Sequence, residues 1–498
     1  MNKIPLAILF FGIFQAALAI QLKELGRISE RNGLEGAEIS TYVADEKMLV
    51  VASGDEEVYL VSLADPSKPQ IVDTVRFAED VPSVSSFGNL VAAVEVNANR
   101  SRPGLVHFFR LEKRSLVKLR SLSTGVGPDM VAFSPDGKSL LVACEGEVDE
   151  DTWEDPAGSI GLVDLSDGIS SATSHILTFD AFDSLALASA GVRLFGPGSY
   201  LQNIEPEYIA FSPDGKLAFA TLQENNAVAK IDVEKKKIVE VFGLGAVDHS
   251  LPGNEFDYRT DRRISLENAP VRGLLEPDGI AAFAHGGKLY FATADEGESR
   301  ELSTYTDETT AARLWKSNRL SKEVFTKELV KSLGELPIDA ENPCDGKEPC
   351  VYLNTFGGRS MSLFDGNSGK RVWNSGSAIE KISAEKYPEL FNRNSKKEKV
   401  KADARSKKKG PEPENVTVGS VGKENFAFVG VERSGGIAVF SLKNPEKPQM
   451  AGYFAKKEDR GPEGVLFISA ENSPLPGTPL LVVCYEYGKT LVVYRIFY

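Results

Sequence analysis

The sequence predicts an all-β fold: a single β-propeller with loop insertions and a short helical insertion. One strand–turn–strand pattern recurs along the chain, and tight turns separate its short apolar runs. The composition, 42% hydrophobic and 26% charged, is that of a folded protein. A length of 498 residues alone would suggest roughly three domains, but repeats of this kind combine into one ring. Four-stranded antiparallel sheets repeated around an axis form a propeller.

Five segments carry the clearest copies of the pattern. Each has a Pro followed by an acid, a short apolar strand, a turn and a second apolar strand. The acids after Pro are Asp129, Glu207, Asp278, Glu414 and Glu463. In two copies the turn reads SPDGK, which places Pro and Gly where a tight β-turn favours them. Short apolar runs bounded by such turns are typical of strands.

Weaker copies cover residues 36–63, 81–111 and 351–377. With the five clear copies they make eight units, so eight blades are favoured and seven is the alternative. The last unit is one strand short. Residues 21–28 are predicted to pair into it and close the ring.

Insertions interrupt the repeats at about 296–350 and 378–410. Apolar residues at helical spacing predict one or two short helices in the first insertion. The second ends in a basic low-complexity stretch, 394–410, predicted to be a flexible solvated loop. Its alternative role is docking to anionic glycans or acidic matrix proteins. An acidic loop, 145–155, lacks the spacing of an EF-hand and is predicted to be solvated or to make weak calcium contacts.

The N-terminus predicts secretion. Residues 1–19 combine Lys3, an apolar run over 6–14 and the motif Ala17-Leu18-Ala19, which is typical of a signal peptide. The alternative, a membrane anchor, needs a longer apolar run of roughly 20 residues. We therefore expect a secreted extracellular protein without a transmembrane segment, with residues 20–498 forming the propeller.

The charge balance limits the classes of partner that the protein is expected to bind. There are 57 Lys and Arg against 71 Asp and Glu, a net charge of −14. A general nucleic-acid binder needs a basic surface, so nucleic acid is not expected as a partner. Four His leave little room for a His-rich zinc site. The acidic excess favours hard cations or basic partners.

Cysteines and sequons fit an extracellular chain. Cys344 and Cys350 lie in one insertion loop and are predicted to form a disulfide. Cys144 and Cys484 end the second strand of two different repeats, too far apart to pair, and are predicted to be free. Asn99, in a polar loop, is the predicted glycosylation site. The sequon at Asn415 opens a predicted inner strand and is interpreted as accidental.

Long segments resemble the choice-of-anchor I family over about residues 22–498. They include GPDMVAFSPDGKSLLVACEGE, DHSLPGN, FGGRSMSLFD, KGPEPENVTVG and GPEGVLFI. This family includes mesenchyme-specific cell-surface glycoproteins of echinoderm skeleton-forming cells, and its bacterial members are described as alkaline-phosphatase-like. The resemblance implies an extracellular β-propeller associated with calcium biomineralisation. The implied partners are matrix proteins, glycans or a mineral surface.

The five acids after Pro are the candidate metal ligands. Equivalent repeat positions in a propeller are related by rotation, so these acids are predicted to ring one mouth of the central channel. Converging carboxylates raise one another's pKa unless a cation compensates, and Ca²⁺ accepts six to eight oxygen ligands. The alternative is that each acid binds backbone N–H groups of its own blade.

Three functions remain open from the sequence. The favoured one is a non-catalytic, calcium-linked binding protein of the extracellular matrix, associated with biomineralisation. The second is a metal-dependent phosphatase or phytase-like propeller hydrolase, with Arg262, Arg263 and Arg272 as candidate phosphate ligands. The third is a metal-free interaction propeller. No catalytic residue is predicted; His249 is interpreted as a structural partner of Asp248 because no nucleophile elbow is present.

Overall fold

A computed structural model describes residues 20–498, and the predicted signal peptide at 1–19 lies outside the described residues. Seven four-stranded antiparallel sheets make up most of the described chain, with a smaller inserted sheet and four short α-helices. The all-β prediction is confirmed. None of the helices described between 20 and 498 has the length and apolarity needed to cross a membrane.

The first four sheets are each formed by consecutive strands. Strand β1 (Gln21–Ser29) precedes them. The strands of sheets 1 and 2 are β2 (Ser40–Val43), β3 (Met48–Ala52), β4 (Glu57–Ser62), β5 (Gln70–Arg76), β6 (Ser83–Phe87), β7 (Leu90–Glu95), β8 (Pro103–Glu112) and β9 (Ser115–Val126). Those of sheets 3 and 4 are β10 (Pro128–Phe133), β11 (Ser139–Cys144), β12 (Ser159–Asp164), β13 (Thr173–Leu177), β14 (Pro206–Phe211), β15 (Leu217–Leu222), β16 (Ala227–Asp232) and β17 (Lys237–Gly243).

The second half of the chain contains the insertions. In chain order its first strands are β18 (Ala246–Asp248), β19 (Val271–Leu274), β20 (Ile280–His285), β21 (Lys288–Asp295), β22 (Glu301–Leu302), β23 (Tyr305–Thr306), β24 (Glu308–Thr309), β25 (Ile338–Asp339), β26 (Leu353–Thr355), β27 (Ser360–Asp365) and β28 (Arg371–Asn374). The last two sheets contribute β29 (Pro413–Val421), β30 (Glu424–Val431), β31 (Gly436–Ser441), β32 (Gln449–Ala455), β33 (Pro462–Ile468), β34 (Leu480–Tyr485) and β35 (Thr490–Phe497). The helices are α1 (Ser184–Ser189), α2 (Ala311–Lys316), α3 (Lys327–Leu333) and α4 (Ala378–Lys386).

The first strands of the seven sheets contact one another in a closed cycle. Strand β2 contacts β6, and the cycle continues through β10, β14, β20, β29 and β33 back to β2. The N-terminal strand completes the last sheet, because β1 pairs antiparallel with β35, from Gln21 opposite Phe497 to Ser29 opposite Thr490. Residues 21–28 therefore close sheet 7, as the sequence predicts.

The favoured count of eight units differs from the seven four-stranded sheets observed. The segment 351–377, counted as a unit of its own, contributes β27 and β28 to sheet 5. Strand β27 pairs with β21 across the insertion, from Tyr290 opposite Asp365 to Asp295 opposite Ser360. Two hairpins with unpaired edges thus combine into one sheet, which satisfies their backbone groups.

The repeated turn has the same geometry in both SPDGK copies. In sheet 3 the Gly137 N–H donates to the Ser134 carbonyl (2.9 Å), and in sheet 4 Gly215 donates to Ser212 (2.8 Å). Both glycines have a positive φ, 68° and 69°, the backbone region that favours glycine. Local sequence therefore fixes these hairpins, and burial of apolar side chains between neighbouring sheets stabilises the ring.

The insertions at 245–275 and 296–353 fold together into a small unit with its own core. Its five-stranded sheet has the order β18-β19-β26-β25-β24. Helices α2 and α3 lie within the predicted helical segment, and Thr310 and Thr326 cap them by accepting backbone N–H bonds. Cys344 and Cys350 form the predicted disulfide, and Cys144 and Cys484 are free and buried, as predicted.

Candidate metal centre

The acids that follow Pro lie at the start of the innermost strand of their sheets. Because those strands contact one another in a closed cycle, equivalent positions converge on one mouth of the ring. Sheet 1 presents Glu38 just before β2, and sheet 2 has Ser83 where the other sheets have an acid. We call the following six residues the ring acids: Glu38, Asp129, Glu207, Asp278, Glu414 and Glu463.

The predicted ligands come together in two groups of three carboxylates, and a third group shares one residue with the second. In each group one oxygen per residue lies within 4.8 Å of the others. We name them triads 1, 2 and 3: Asp129, Glu145 and Glu207; Asp278, Glu414 and Glu463; Glu296, Glu414 and Glu432. All five predicted ligands thus belong to triads 1 and 2. Glu414 belongs to two triads.

Sequence reasoning missed a second circle of acids. These residues follow the end of the second strand of their sheets, and we call them the strand-end acids: Glu145, Glu224, Glu296, Glu432 and Glu486. The signal was present, because each aligned repeat has an acid at this point. Glu145 falls at the start of the acidic loop 145–155, which obscures its place in the repeat, and Glu224 comes one residue later than the others.

The ring acids are held in an environment that disfavours their charged form. Burial, reinforced by neighbouring carboxylates, raises the pKa of Glu207, Asp278 and Glu463 well above the ordinary range. The same causes raise the pKa of Asp129 to about 6 and that of Glu38 to about 8. The charge of Asp129 acts on Asp278, two sheets away around the ring, which shows that the carboxylates converge across the mouth.

Lys and Arg side chains partly neutralise the negative charge of triad 3 but not that of triads 1 and 2. None of the six carboxylates of triads 1 and 2 forms a salt bridge within residues 20–498. In triad 3, Lys409 Nζ lies 2.9 Å from Glu296, and Arg433 lies 2.9 Å from Glu432. The half-buried carboxylates of triads 1 and 2 therefore lack the compensation that a charge partly removed from water requires.

Two oxygens of this cluster are buried without a hydrogen-bond partner in the described structure. They are Oε2 of Glu414 and Oε2 of Glu432. A buried acceptor without a donor is unfavourable, and a hard cation supplies what is missing. The donor set consists of carboxylate oxygens, which suits Ca²⁺ or Mg²⁺ better than a softer metal.

The acids that precede Pro have a different role. The structure buries Glu205, Glu276 and Glu412. Glu205 pairs with Arg300, and Glu412 pairs with Arg405 (2.8 Å) and Arg433 (2.5 Å). Lys409, Arg433 and Arg405 hold the pKa of Glu412 down, to about 2, despite its burial.

The basic stretch at 394–410 is only partly the solvated loop that the sequence predicts. Its first half is exposed, including Lys396, Lys397 and Lys399. Its second half packs onto acids of the insertion and of the ring: Lys408 reaches Glu308 (3.3 Å), and Lys409 is 8% exposed and contacts Glu296 and Glu298. Long-range ion pairing, which local composition cannot reveal, causes the difference.

The acidic loop opens onto triad 1. A cavity of about 470 Å³ is lined by Asp129 and Glu145 of triad 1 and by Asp149, Glu150 and Asp151 of the loop. Arg100 also lines it. The loop therefore forms an acidic entrance to one triad, and it is not separate from the ring.

The remaining candidate residues lie elsewhere. Asn99 is exposed, as a glycosylation site requires, whereas Asn415 is 2% exposed in β29. The predicted pairing of His249 with Asp248 is wrong: its Nδ1 bonds the Asn254 carbonyl (2.7 Å), and its ring stacks on Phe256. The tight turn from 249 to 254 places that carbonyl closer than the neighbouring carboxylate.

The three candidate phosphate ligands are not close to the triads. Arg272 pairs with Asp248 and Asp345 at the inserted sheet. Arg262 and Arg263 are exposed, and the Arg262 N–H binds Asp403. Within the described chain, none of the three forms a salt bridge with a ring acid.

Comparison with known proteins decides the family. The domain model of the choice-of-anchor I domain matches residues 38–445. The chain belongs to the choice-of-anchor I family. The matched range contains sheets 1 to 5, the first three strands of sheet 6 and every triad residue except Glu463. The family resemblance predicted from the sequence is thereby confirmed.

Two curated proteins are similar to this choice-of-anchor I chain. Gigasin-3a of Magallana gigas is 34% identical over 117 residues, which are 22% of this chain and 40% of that protein. The mesenchyme-specific cell surface glycoprotein of Strongylocentrotus purpuratus is 26% identical over 284 residues, 50% of this chain and 36% of that protein. The matches thus span well under half the length of either relative.

Solved propeller structures are similar at low identity. The Myceliophteria thermophila Cps50 (Swd1) β-propeller domain has 9% identity and a TM-score of 0.47, with 96% of this chain and 100% of that chain covered. A chain of the Mitotic Checkpoint Complex has 11% identity and a TM-score of 0.49, with both chains fully covered. The fold assignment rests on the sheet topology described above.

Proposed function

We propose that this choice-of-anchor I protein is a secreted, seven-bladed extracellular propeller that binds Ca²⁺ through its ring acids and acts as a non-catalytic binding protein of mineralising matrix. One observation carries the proposal. Acids from five sheets converge into triads 1 and 2, where none has a salt-bridge partner in the described residues. Ca²⁺ accepts many carboxylate oxygens in flexible geometry and fits such a group.

The extracellular setting is supported by the family and by a relative whose name describes a cell surface glycoprotein. The disulfide Cys344–Cys350 agrees with an oxidising compartment. The proposed partners are matrix proteins, glycans or a mineral surface. The exposed lysines 396, 397 and 399 offer a basic patch to anionic partners, and the acidic loop offers carboxylates to calcium-rich ones.

Calorimetry with Ca²⁺ tests the proposal. The wild-type protein is expected to bind Ca²⁺, and the double variant Glu207→Gln/Asp278→Asn is expected to lose at least tenfold in affinity, because triads 1 and 2 each lose a charged ligand. Ca²⁺ at about 100 times its Kd would also stabilise the wild type by about 2.7 kcal/mol.

The matched control is Glu234→Gln/Asp167→Asn, which makes the same charge change at two exposed positions outside the acidic loop and the triads. Its calcium affinity is expected to equal that of the wild type. Absence of heat and of thermal stabilisation in the wild type would contradict the proposal. Turnover of p-nitrophenyl phosphate above background would favour the hydrolase alternative, for which the placement of the three arginines gives no support.

A further inference from the structure

Triads 2 and 3 are adjacent because they share one residue. Glu414 lies with Asp278 and Glu463 on one side and with Glu296 and Glu432 on the other. A carboxylate has two oxygens and about four acceptor positions, so it can bind two cations at once. Cations bridged in this way stand about 3.5–4 Å apart, the spacing of two-metal sites.

We propose that the Glu414 carboxylate bridges two divalent cations, one bound with Asp278 and Glu463 and the other with Glu296 and Glu432. This inference rests on the proposed function, which assigns calcium to the ring. It adds the number of cations bound and the link between two of their sites. Triads 2 and 3 form one dinuclear centre, whereas triad 1 shares no ligand with them.

The unpartnered oxygens support this assignment. Glu432 is 2% exposed; its Oε1 lies 2.9 Å from Arg433 Nη1, and its Oε2 is buried without a hydrogen-bond partner in the described residues. Oε2 of Glu414 is likewise buried without a hydrogen-bond partner in the described residues. Each is a buried acceptor that belongs to a group of carboxylates, so a cation between them satisfies both.

Glu296 keeps capacity for a cation even though both of its oxygens have partners. Its Oε1 accepts from Lys409 (2.9 Å) and its Oε2 from the Gln223 side chain (2.8 Å). Each carboxylate oxygen has two lone pairs, so one acceptor position per oxygen remains. Lys409 and Gln223 therefore act as positioning residues that fix Glu296 toward the centre.

The local charge agrees with two divalent cations. Glu414 and six carboxylates that lie around it or pair with its neighbours form one group of seven: Asp278, Glu296, Glu298, Glu412, Glu414, Glu432 and Glu463. Three protein cations contact this group: Arg405, Lys409 and Arg433. When all seven are ionised, as cation binding requires, four negative charges are left over, and Glu38 and Glu486 lie beside Glu463.

Equilibrium dialysis against Ca²⁺, with bound calcium counted by elemental analysis, tests the bridge. Glu414→Gln is expected to lose two equivalents of Ca²⁺, whereas Glu432→Gln loses one. The matched control Asp129→Asn changes only triad 1 and is expected to lose one equivalent, leaving the pair intact. Circular dichroism checks that each variant folds.

The outcomes separate the two proposals. A wild-type protein that binds no Ca²⁺ overturns the proposed function and this inference with it. A wild-type protein that binds Ca²⁺, together with a Glu414→Gln variant that loses no more than one equivalent, overturns the bridge alone.

Lanthanide luminescence gives a second measurement that leaves Glu414 in place. In the Asp129→Asn variant, loading with Tb³⁺ and Eu³⁺ together is expected to shorten the Tb³⁺ lifetime, because energy transfers between ions bound side by side. Tyr487 follows Glu486 in the chain and interacts with Glu432 of triad 3, so it is expected to sensitise Tb³⁺, and Tyr487→Phe should reduce that emission. An unchanged lifetime in the mixed sample would overturn the dinuclear centre.

Discussion

Buried titratable side chains show how strongly one residue's surroundings determine its chemistry. His249 is 3% exposed, stacked on Phe256, and bonded through Nδ1 to the Asn254 carbonyl. Burial, together with the positive charge of Arg359, lowers the pKa of His249 to about 4, against weaker opposing effects of the Asn254 carbonyl and Asp248. The folded protein therefore keeps this imidazole neutral where the unfolded chain protonates it.

The sign of the resulting pH dependence follows from linkage. A histidine whose pKa is lowered in the folded state contributes stability that is complete above its unfolded pKa, about 6.5, and is lost as the pH falls toward 4. Between pH 7 and pH 4, the free energy of unfolding of His249→Gln should therefore fall by up to about 3 kcal/mol less than that of the wild type. Melting temperatures of wild type and variant, compared between pH 7 and pH 4, measure it. Exposed His175→Gln is the control, and parallel pH curves for wild type and His249→Gln would contradict the prediction.

At the scale of elements, the basic stretch shows that a low-complexity segment can be a structural part of a site. Lys407, Lys408 and Lys409 reach three different acids of the insertion and ring: Glu335, Glu308 and Glu296. Buried between carboxylates, Lys409 has a pKa raised well above its usual value, because Glu296, Glu298 and Glu412 outweigh its desolvation. It stays charged and ties the segment to sheet 5.

Lys409→Met is expected to destabilise the protein by about 3–5 kcal/mol, because it leaves buried Glu296 without its ion-pair partner. The released segment should also be cut faster by trypsin between 394 and 410. Thermal melts and timed proteolysis measure both effects. Lys399→Met, in the exposed half of the same segment, serves as the control and should change neither. Equal cleavage rates for the two variants would show that Lys409 does not anchor the segment.

The sequence alone predicts much of the fold. Of the site, it predicts the ring acids but not the strand-end acids. Turns such as Ser134–Gly137 are local, so the strands and the ring acids could be read from repeated motifs. The pairing of β21 with β27 could not, because the insertion separates them and neither hairpin shows its partner in its own residues. For the same reason the contact of Lys409 with Glu296 escaped prediction, since the two lie 113 positions apart.

At the scale of the whole molecule, the ring depends on one strand from the opposite end of the chain. Strand β1 contributes the fourth strand of sheet 7, and Ile28, 1% exposed, packs into the core between sheets 7 and 1. Without β1, the edge of β35 loses its partner and presents unpaired backbone groups.

A protein that starts at residue 30 is therefore expected to melt at least 5 °C lower and to associate in solution through the exposed edge of β35. Differential scanning calorimetry and light scattering measure these effects. A synthetic peptide of residues 20–29 should restore the melting temperature, whereas a peptide of the same composition in scrambled order should not. A truncated protein that is monomeric and as stable as the full chain would refute the role of β1 in closing the ring.

The pairing of β1 with β35 also sets an order of events during synthesis. Chains emerge at roughly 5–20 residues per second, so β1 waits on the order of 25–95 s for the strand that pairs with it. Throughout that time a nine-residue strand with open hydrogen-bonding edges is present without its native neighbour. Ring closure thus begins only after β35 has been synthesised, and the period before it is when the nascent protein most needs protection from wrong partners.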